Sequence, residues 1–155
     1  MFPWSFFSLP GDDIVHLFGP VNGDSPEQTM FWIPSIKTLI VGDVAYGHGI
    51  HIWLADLDDP AMTEAWLRSL RLIESLGAER IIPRHALSDQ GDFNGSKDTD
   101  HTRAYLLFFQ KEIESRPMDA FTPEEITAKF DEAFPEGSTS KLLLQINAQH
   151  FGRGG

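Results

Sequence analysis

The spacing of apolar residues changes once along this chain, near Pro60, and this change limits the folds that the chain can adopt. Before it, apolar segments at 14–18, 29–33 and 38–41 have the length and composition of β-strands and alternate with turn-forming residues. After it, apolar side chains recur at three- and four-residue steps until Gly77, which is the spacing of an amphipathic helix. The order predicts a small sheet followed by a helix that packs on it.

Turn and cap residues set the expected boundaries of these elements. Residues 34–37 form a short Pro-containing link, which predicts a hairpin between the second and third strands. Residues 19–26 are dense in Gly, Pro, Asn and Asp and predict a loop. Asp59 suits the cap of the helix, and a further short strand at 79–83 ends at its proline.

The remainder of the chain is predicted to be helical. One helix is expected from about residue 98 to 115, and a second begins at Thr122, whose spacing to Glu125 is that of a capping box. A third is expected at 139–150. We therefore expect one α/β (α+β) domain over residues 1–155, with a core at 13–86 and a helical C-terminal extension at 97–150.

Charge and composition exclude several classes of function. The 155 residues include 12 Lys and Arg against 23 Asp and Glu, a net charge of −11, which argues against binding to nucleic acid or to an anionic membrane. No apolar run approaches the ~20 residues of a membrane-spanning helix. The chain has no cysteine, so a metal would have to be held by His and carboxylates. We expect an acidic, soluble, cytoplasmic protein.

Two residues at strand ends are the first candidates for chemistry. Asp43 follows the strand at 38–41 through Gly42, and His85 follows the strand at 79–83. Ligands of open α/β sheets gather at the carboxyl ends of strands, and a glycine there allows close backbone approach. Each residue also has an ordinary structural interpretation, since Asp43 would cap a turn and a single histidine after a strand is often a hydrogen-bonded loop residue.

The other candidates lie between these two positions. His48 and His51 are three residues apart in a predicted loop, which suits either a shared metal or ordinary loop histidines. Trp53 is the tryptophan nearest to these polar residues in the sequence and is a candidate for lining a pocket. Tryptophan at strand spacing is otherwise usually core. The chain contains no H-E-x-x-H zinc motif, no G-x-S-x-G elbow and no phosphate-binding glycine loop.

Taken together, these segments resemble the C-terminal half of a hydrolase-like member of the metallo-β-lactamase superfamily. In that family a Gly-His loop precedes a hairpin with Pro-Ser at its turn and Gly-Asp at its end, and a helix then leads to a strand ending in Pro-Gly-His. The resemblance covers about residues 14–86. The resembling segments are residues 19–24, 28–35, 39–43, 44–46, 51–54 and 81–85.

The resemblance implies a fold and a set of site residues. The implied fold is half of a four-layered αββα sandwich, in which helices cover one face of a mixed sheet. Asp43 matches the metal-bridging aspartate, His85 the histidine of the second metal site, and His51 a site-lining histidine. From this match we expect His51 to act with Asp43 and His85. We expect Trp53, His48 and Tyr46 to contact a substrate. The chain departs from the family at Pro20, which replaces the Gly-His ligand, and beside His85, where Arg84 replaces glycine.

The metal ligands implied by the family are incomplete in this sequence. The His-x-His-x-Asp-His signature has no counterpart, so Asp43 and His85 supply two ligands where a catalytic zinc usually has three. We therefore expect no metal from this chain alone, with zinc or iron held only if His48, His51 or another chain adds ligands. Half a sandwich would also expose an apolar sheet face, which predicts a homodimer through that face unless Phe2, Trp4, Phe6 and Phe7 cover it.

Three functions remain open at this point. The first is a small-molecule hydrolase or lyase with an atypical or metal-free site, in which Asp43 or His85 works as general acid or base. The second is a non-catalytic remnant or binding module. The third is one half of a metal hydrolase completed by another chain.

Overall fold

The computed structural model describes residues 5–88, 91, 93–117 and 120–154. Within them, one five-stranded sheet has its strands in the order of the chain. The strands are β1 (Ser5–Ser8), β2 (Ile14–Val21), β3 (Gln28–Ile33), β4 (Thr38–Gly42) and β5 (Arg80–Pro83). The first four are antiparallel neighbours, whereas β4 and β5 are parallel. The prediction of one mixed sheet in an α+β fold is confirmed.

The described residues form four α-helices. They are α1 (Pro60–Ser75), α2 (Lys97–Phe109), α3 (Pro123–Ala133) and α4 (Lys141–Phe151). The predicted caps are present: the Asp59 side chain accepts a hydrogen bond from the Ala61 N–H at 2.7 Å, and Thr122 and Glu125 form both bonds of a capping box. These bonds satisfy N–H groups that the first helical turn leaves without partners.

Three features differ from the sequence-based expectation. The short edge strand β1 was not predicted, and β2 continues to Val21, so the predicted loop at 19–26 was wrong over its first residues. The helix expected at 98–115 is α2 followed by a π-helical turn at Gln110–Glu114. Phe6 and Phe7 lie in β1 and stay 64% and 44% exposed. Phe2 and Trp4 lie outside the described residues.

The helices share one buried core with the inner face of the sheet. Trp66 of α1 is fully buried and donates its indole N–H to the Val44 carbonyl oxygen at 2.7 Å, which fixes the chain just after β4. The helices beyond residue 97 join this same core through the aromatic rings of Tyr105 and Phe109. The sheet residues of the core include Met30, Leu39, Val41 and Ile81.

Asn147 ties α4 to the segment that joins β4 to α1. Its buried side chain accepts the Leu54 N–H at 2.9 Å and donates to the Ile52 carbonyl oxygen at 2.7 Å. A segment without regular structure has no ladder to satisfy its buried backbone groups, so a side chain must do so. Asn147 therefore holds both a helix and a loop in place.

The outer face of the sheet carries an apolar row across four strands. Leu17 is paired with Phe31, Phe31 with Ile40, and Ile40 with Ile82, so the four side chains lie on the same face. Ile40 is 38% exposed and the other three are partly exposed. This is the face through which the sequence predicted self-association.

Replacing Asn147 with alanine should destabilise the fold by about 2–4 kcal/mol, because two buried backbone groups would lose their partners. Urea unfolding measures the difference. Gln149→Ala, at an exposed position of the same helix, is the matched control and should change stability by less than about 0.5 kcal/mol. Equal effects of the two substitutions would show that the Asn147 bonds do not form in solution.

We propose that the apolar row pairs with the same row of a second copy of this chain. Light scattering should then give the mass of a dimer, and Ile40→Asp should give a monomer because it places a charge in the buried interface. Ile36→Asp is the control, since Ile36 is 56% exposed and lies in the 3-10 turn between β3 and β4. A wild-type monomer at micromolar concentration would refute the dimer.

Candidate functional site

The parallel pairing of β4 with β5 places two chain segments at the same edge of the sheet. Asp43 directly follows β4, and Arg84 and His85 directly follow β5. The Arg84 N–H donates to the Gly42 carbonyl oxygen at 3.1 Å, so backbone pairing continues past the strands. Since parallel strands end on the same side, the side chains that follow them converge.

Asp43 and His85 are brought together as the sequence predicted. His85 Nε2 lies 3.2 Å from Asp43 Oδ1, with the carboxylate largely buried and the imidazole 42% exposed. Within the described residues, Asp43 Oδ1 has no hydrogen-bond partner of good geometry, so the two atoms are close without a well-aligned bond. The pair thus joins a sheltered carboxylate to an accessible imidazole.

Arg84 supplies a cation to the same carboxylate. Its Nη1 donates to Asp43 Oδ2 at 3.0 Å, while the Arg84 side chain is 69% exposed. Asp43 therefore has His85 on one oxygen and a guanidinium on the other. The Arg84 guanidinium disfavours a metal ion at the same carboxylate, because the two positive charges would repel each other.

Tyr46 and Asp24 complete the cluster. The Tyr46 ring stacks on the His85 ring with centroids 4.9 Å apart and planes at 18°, and its hydroxyl donates to Asp24 Oδ2 at 2.6 Å. Burial and the bond to Asp24 raise the pKa of Tyr46 above its ordinary value, so the phenol stays protonated as a donor. Tyr46, which the sequence predicted as a substrate contact, thus lies next to the Asp43–His85 pair.

Asp24 was not singled out from the sequence. Burial raises its pKa, the Tyr46 hydrogen bond opposes the shift, and the charge of Asp43 adds to it. The Asp24 N–H also donates to the Asp43 carbonyl oxygen at 3.3 Å. The sequence signal that could have identified Asp24 is its place in segment 19–24, one of the segments that resemble the metallo-β-lactamase superfamily.

Two glycines let the loops close on this cluster. A Cβ at Gly23 would lie 2.6 Å from the Asp43 carbonyl oxygen, and a Cβ at Gly47 would lie 2.9 Å from the His85 carbonyl oxygen. The Gly47 N–H donates to that same His85 oxygen at 2.7 Å. Any side chain at these positions would push apart the backbone that carries Asp43 and His85.

His51 has different partners from the ones expected. Its ring is fully buried, with Nδ1 3.1 Å from the Tyr105 hydroxyl and Nε2 3.5 Å from Asp131 Oδ1, so its polar contacts are with α2 and α3. Burial lowers the pKa of His51, and the charge of Asp131 opposes that shift. His51 is therefore placed in the helical core.

The two remaining predicted residues also make contacts elsewhere. The His48 N–H donates to Asp98 Oδ1 at 2.8 Å, and the His48 ring lies 5.3 Å from that of His101. The Trp53 indole donates to Asp56 at 3.0 Å. Neither of these contacts involves the Asp43–His85 pair, although the Trp53 backbone reaches the Tyr46 hydroxyl.

An open cleft of about 400 Å³ lies beside His85. Arg84 and His85 form its polar side, and Ser140 adds a residue from the turn before α4. Its apolar lining is Ile50, Ala86, Leu87 and Leu143. The cleft joins the charged cluster to a surface suited to the apolar part of a small molecule.

The residues of this site do not fit a complete catalytic metal centre. Among the described residues, no three His, Asp or Glu side chains are grouped to hold a metal ion. Carboxylate and imidazole are suitable zinc ligands, but Asp43 and His85 make two, and Arg84 already binds the second Asp43 oxygen. A metal here would need further ligands from another chain.

Comparison with solved structures gives matches of the metallo-β-lactamase fold. They include the metallo-β-lactamase from Pontibacter korlensis, with 18% identity over 69% of this chain and 47% of that one at a TM-score of 0.49. TMB-1 matches with 23% identity over 68% and 46% at a TM-score of 0.49. The inverting sec-alkylsulfatase Pisa1 from Pseudomonas sp. matches with 15% identity over 97% and 25% at a TM-score of 0.44.

The first of these three structures is a metallo-β-lactamase, and all three matches have a TM-score below 0.5. The chain spans about half the length of the lactamase structures and a quarter of the alkylsulfatase. No protein-family model and no curated protein matches it. What the chain does must therefore be argued from its own residues.

A search of the described residues for helices long and apolar enough to cross a membrane finds none.

Stability should decrease as the pH falls below about 6.5, because burial lowers the pKa of both His51 and His101 from the ordinary 6.5. The unfolded chain then binds more protons than the folded one, and acid favours unfolding. Urea unfolding at about pH 7.5 and about pH 5.5 measures the effect. Histidine resonances that titrate at or above the ordinary value in the folded protein would contradict it.

Proposed function

We propose that this chain is a hydrolase-like protein that acts on a small molecule by metal-independent acid–base chemistry at His85. The carrying observation is the 3.2 Å approach of His85 Nε2 to the sheltered Asp43 carboxylate, beside an open cleft. A histidine oriented by a buried carboxylate is a recurrent general base, because the carboxylate sets its tautomer and stabilises its charged form.

Each neighbour has a role in this proposal. Nε2 of His85 is next to Asp43, so we assign proton exchange with substrate or water to Nδ1. Stacking on Tyr46 holds the plane of the imidazole, and the Tyr46–Asp24 hydrogen bond holds Tyr46. Arg84, exposed beside the cleft, would hold an anionic part of the substrate or stabilise negative charge that develops on it.

The substrate suggested by the cleft is small and partly apolar. Ile50, Leu87 and Leu143 would contact an apolar group, while Arg84 and Ser140 would contact a polar end. Hydrolysis of an ester or a related acyl compound suits this cleft. His85 would activate the water, and Arg84 would stabilise the negative charge that develops on the substrate.

One half of a metal hydrolase is the second candidate. It is favoured by Asp43 Oδ1, which is buried, lies 3.2 Å from an imidazole nitrogen and has no well-aligned hydrogen bond among the described residues. Zinc or iron completed by another chain would use that oxygen and His85. A non-catalytic binding module is favoured instead by the Arg84–Asp43 pair, which already neutralises the carboxylate.

We also propose a small-molecule ligand, no nucleic-acid partner and a cytoplasmic location. A small-molecule ligand is supported by the cleft, and the net charge of −11 supports the expectation that nucleic acid is no partner. A cytoplasmic location is supported by a chain without cysteine, which uses no disulfides.

His85→Gln should reduce hydrolysis of p-nitrophenyl acetate by at least ~100-fold, because it removes the general base. His16→Gln, the same change on β2, is the control and should leave the rate within about twofold of the wild type. Wild-type activity should survive dialysis against EDTA.

The other outcomes identify the alternatives. Activity that EDTA abolishes and zinc restores, with Asp43→Asn losing the metal, supports the second candidate and refutes the metal-independent one. Wild-type hydrolysis no faster than that of His85→Gln supports the binding module.

A further inference from the structure

A second cavity lies away from the cleft, between the loop before α1 and the ends of α2 and α4. Its volume is about 170 Å³. Three phenylalanines contribute to its lining, and none of its residues lines the cleft beside His85. Its apolar walls include Leu57, Phe109, Ile113, Phe121 and Phe151.

Acidic side chains lie at this aromatic cavity. Asp58 and Glu114 both line it. Asp58 is paired with His150, whose Nε2 lies 3.2 Å from its Oδ1. Glu114 accepts a hydrogen bond from the Thr63 hydroxyl at 2.6 Å, but no lysine, arginine or histidine nitrogen of the described residues lies within ion-pair distance of it. A half-buried carboxylate thus lacks a basic partner in the described part of the chain.

The local backbone brings Glu114 to this position. The π-helical turn Gln110–Glu114 contains a bond from the Ser115 N–H to the Gln110 carbonyl oxygen at 3.0 Å. The consecutive residues Ile113 and Glu114 both line the cavity. Single π-helical turns are rare and are frequently found at functional sites.

We propose that this cavity binds a small organic cation, of the alkylammonium or quaternary ammonium class. Aromatic ring faces attract such cations, and a carboxylate without a basic partner supplies the opposite charge. An apolar cavity of roughly 150 Å³ holds a ligand the size of benzene, so the volume suits a small alkylammonium group. Phe121 has the Lys129 ammonium 4.8 Å from its ring centre, so one ring that lines the cavity already contacts a cation of the chain itself.

The positive charge of the ligand distinguishes this site from one that binds purely apolar molecules. A purely apolar ligand would contact the aromatic walls and leave Glu114 without a cation partner. An ammonium group would contact the aromatic walls and also pair with Glu114. The cation site is independent of the cleft beside His85, because the two share no residue.

The test compares choline with its neutral isostere 3,3-dimethylbutan-1-ol, using the full chain and two-dimensional NMR. Choline should shift the resonances of Phe121 and Phe151 and bind at least ~10-fold more tightly than the alcohol. Equal binding of the two compounds would refute the role of charge. The absence of shifts at these residues with either compound would refute the site.

Two substitutions distinguish the effect of the Glu114 carboxylate on choline binding from the effect of the net charge of the protein. Glu114→Gln should weaken choline binding by about tenfold and leave the alcohol unaffected. Glu132→Gln removes the same charge at an exposed position of α3 and should change neither. If Glu114→Gln fails to fold by circular dichroism, Asp58→Asn at the exposed rim takes its place, with the same expected direction. An unchanged choline affinity in the folded variant would overturn the proposal.

Discussion

The parallel pairing of β4 with β5 is the constraint on which the site depends. It forces the chain to cross over through α1, which then covers the inner face of the sheet. It also ends both strands at the same edge of the sheet, so Asp43 meets both Arg84 and His85. Arg84 and Asp43 are 41 positions apart in the chain. An antiparallel fifth strand would have placed these residues at opposite edges of the sheet.

The positions of site residues that directly follow a strand were predictable from the sequence. The length of a strand and the turn after it depend on nearby residues in the chain. Asp43 and His85 belong to this group. Asp24 does not, since its position depends on how closely a loop can approach the end of β4. That approach is possible because Gly23 has no Cβ, which would lie 2.6 Å from a carbonyl oxygen.

The segment between β4 and α1 has no regular period, and its conformation depends on the helices that pack on it. The Tyr46 N–H donates to the Thr102 hydroxyl and the Leu54 N–H to Asn147, so side chains of α2 and α4 hold its backbone. Sequence spacing contains no information about such distant partners. For this reason His51 and Trp53, although close to Asp43 along the chain, have contacts elsewhere.

The last helix has a consequence for how such a protein could diversify. Ser140 and Leu143, at its start, line the cleft beside His85, while Asn147 anchors the helix to the core. One part of the cleft wall is thus carried by a segment of the chain that lies after all five strands and after Asp43 and His85. Under the proposed function, substitutions at Ser140 and Leu143 would alter which molecules fit the cleft and would leave Asp43 and His85 in place.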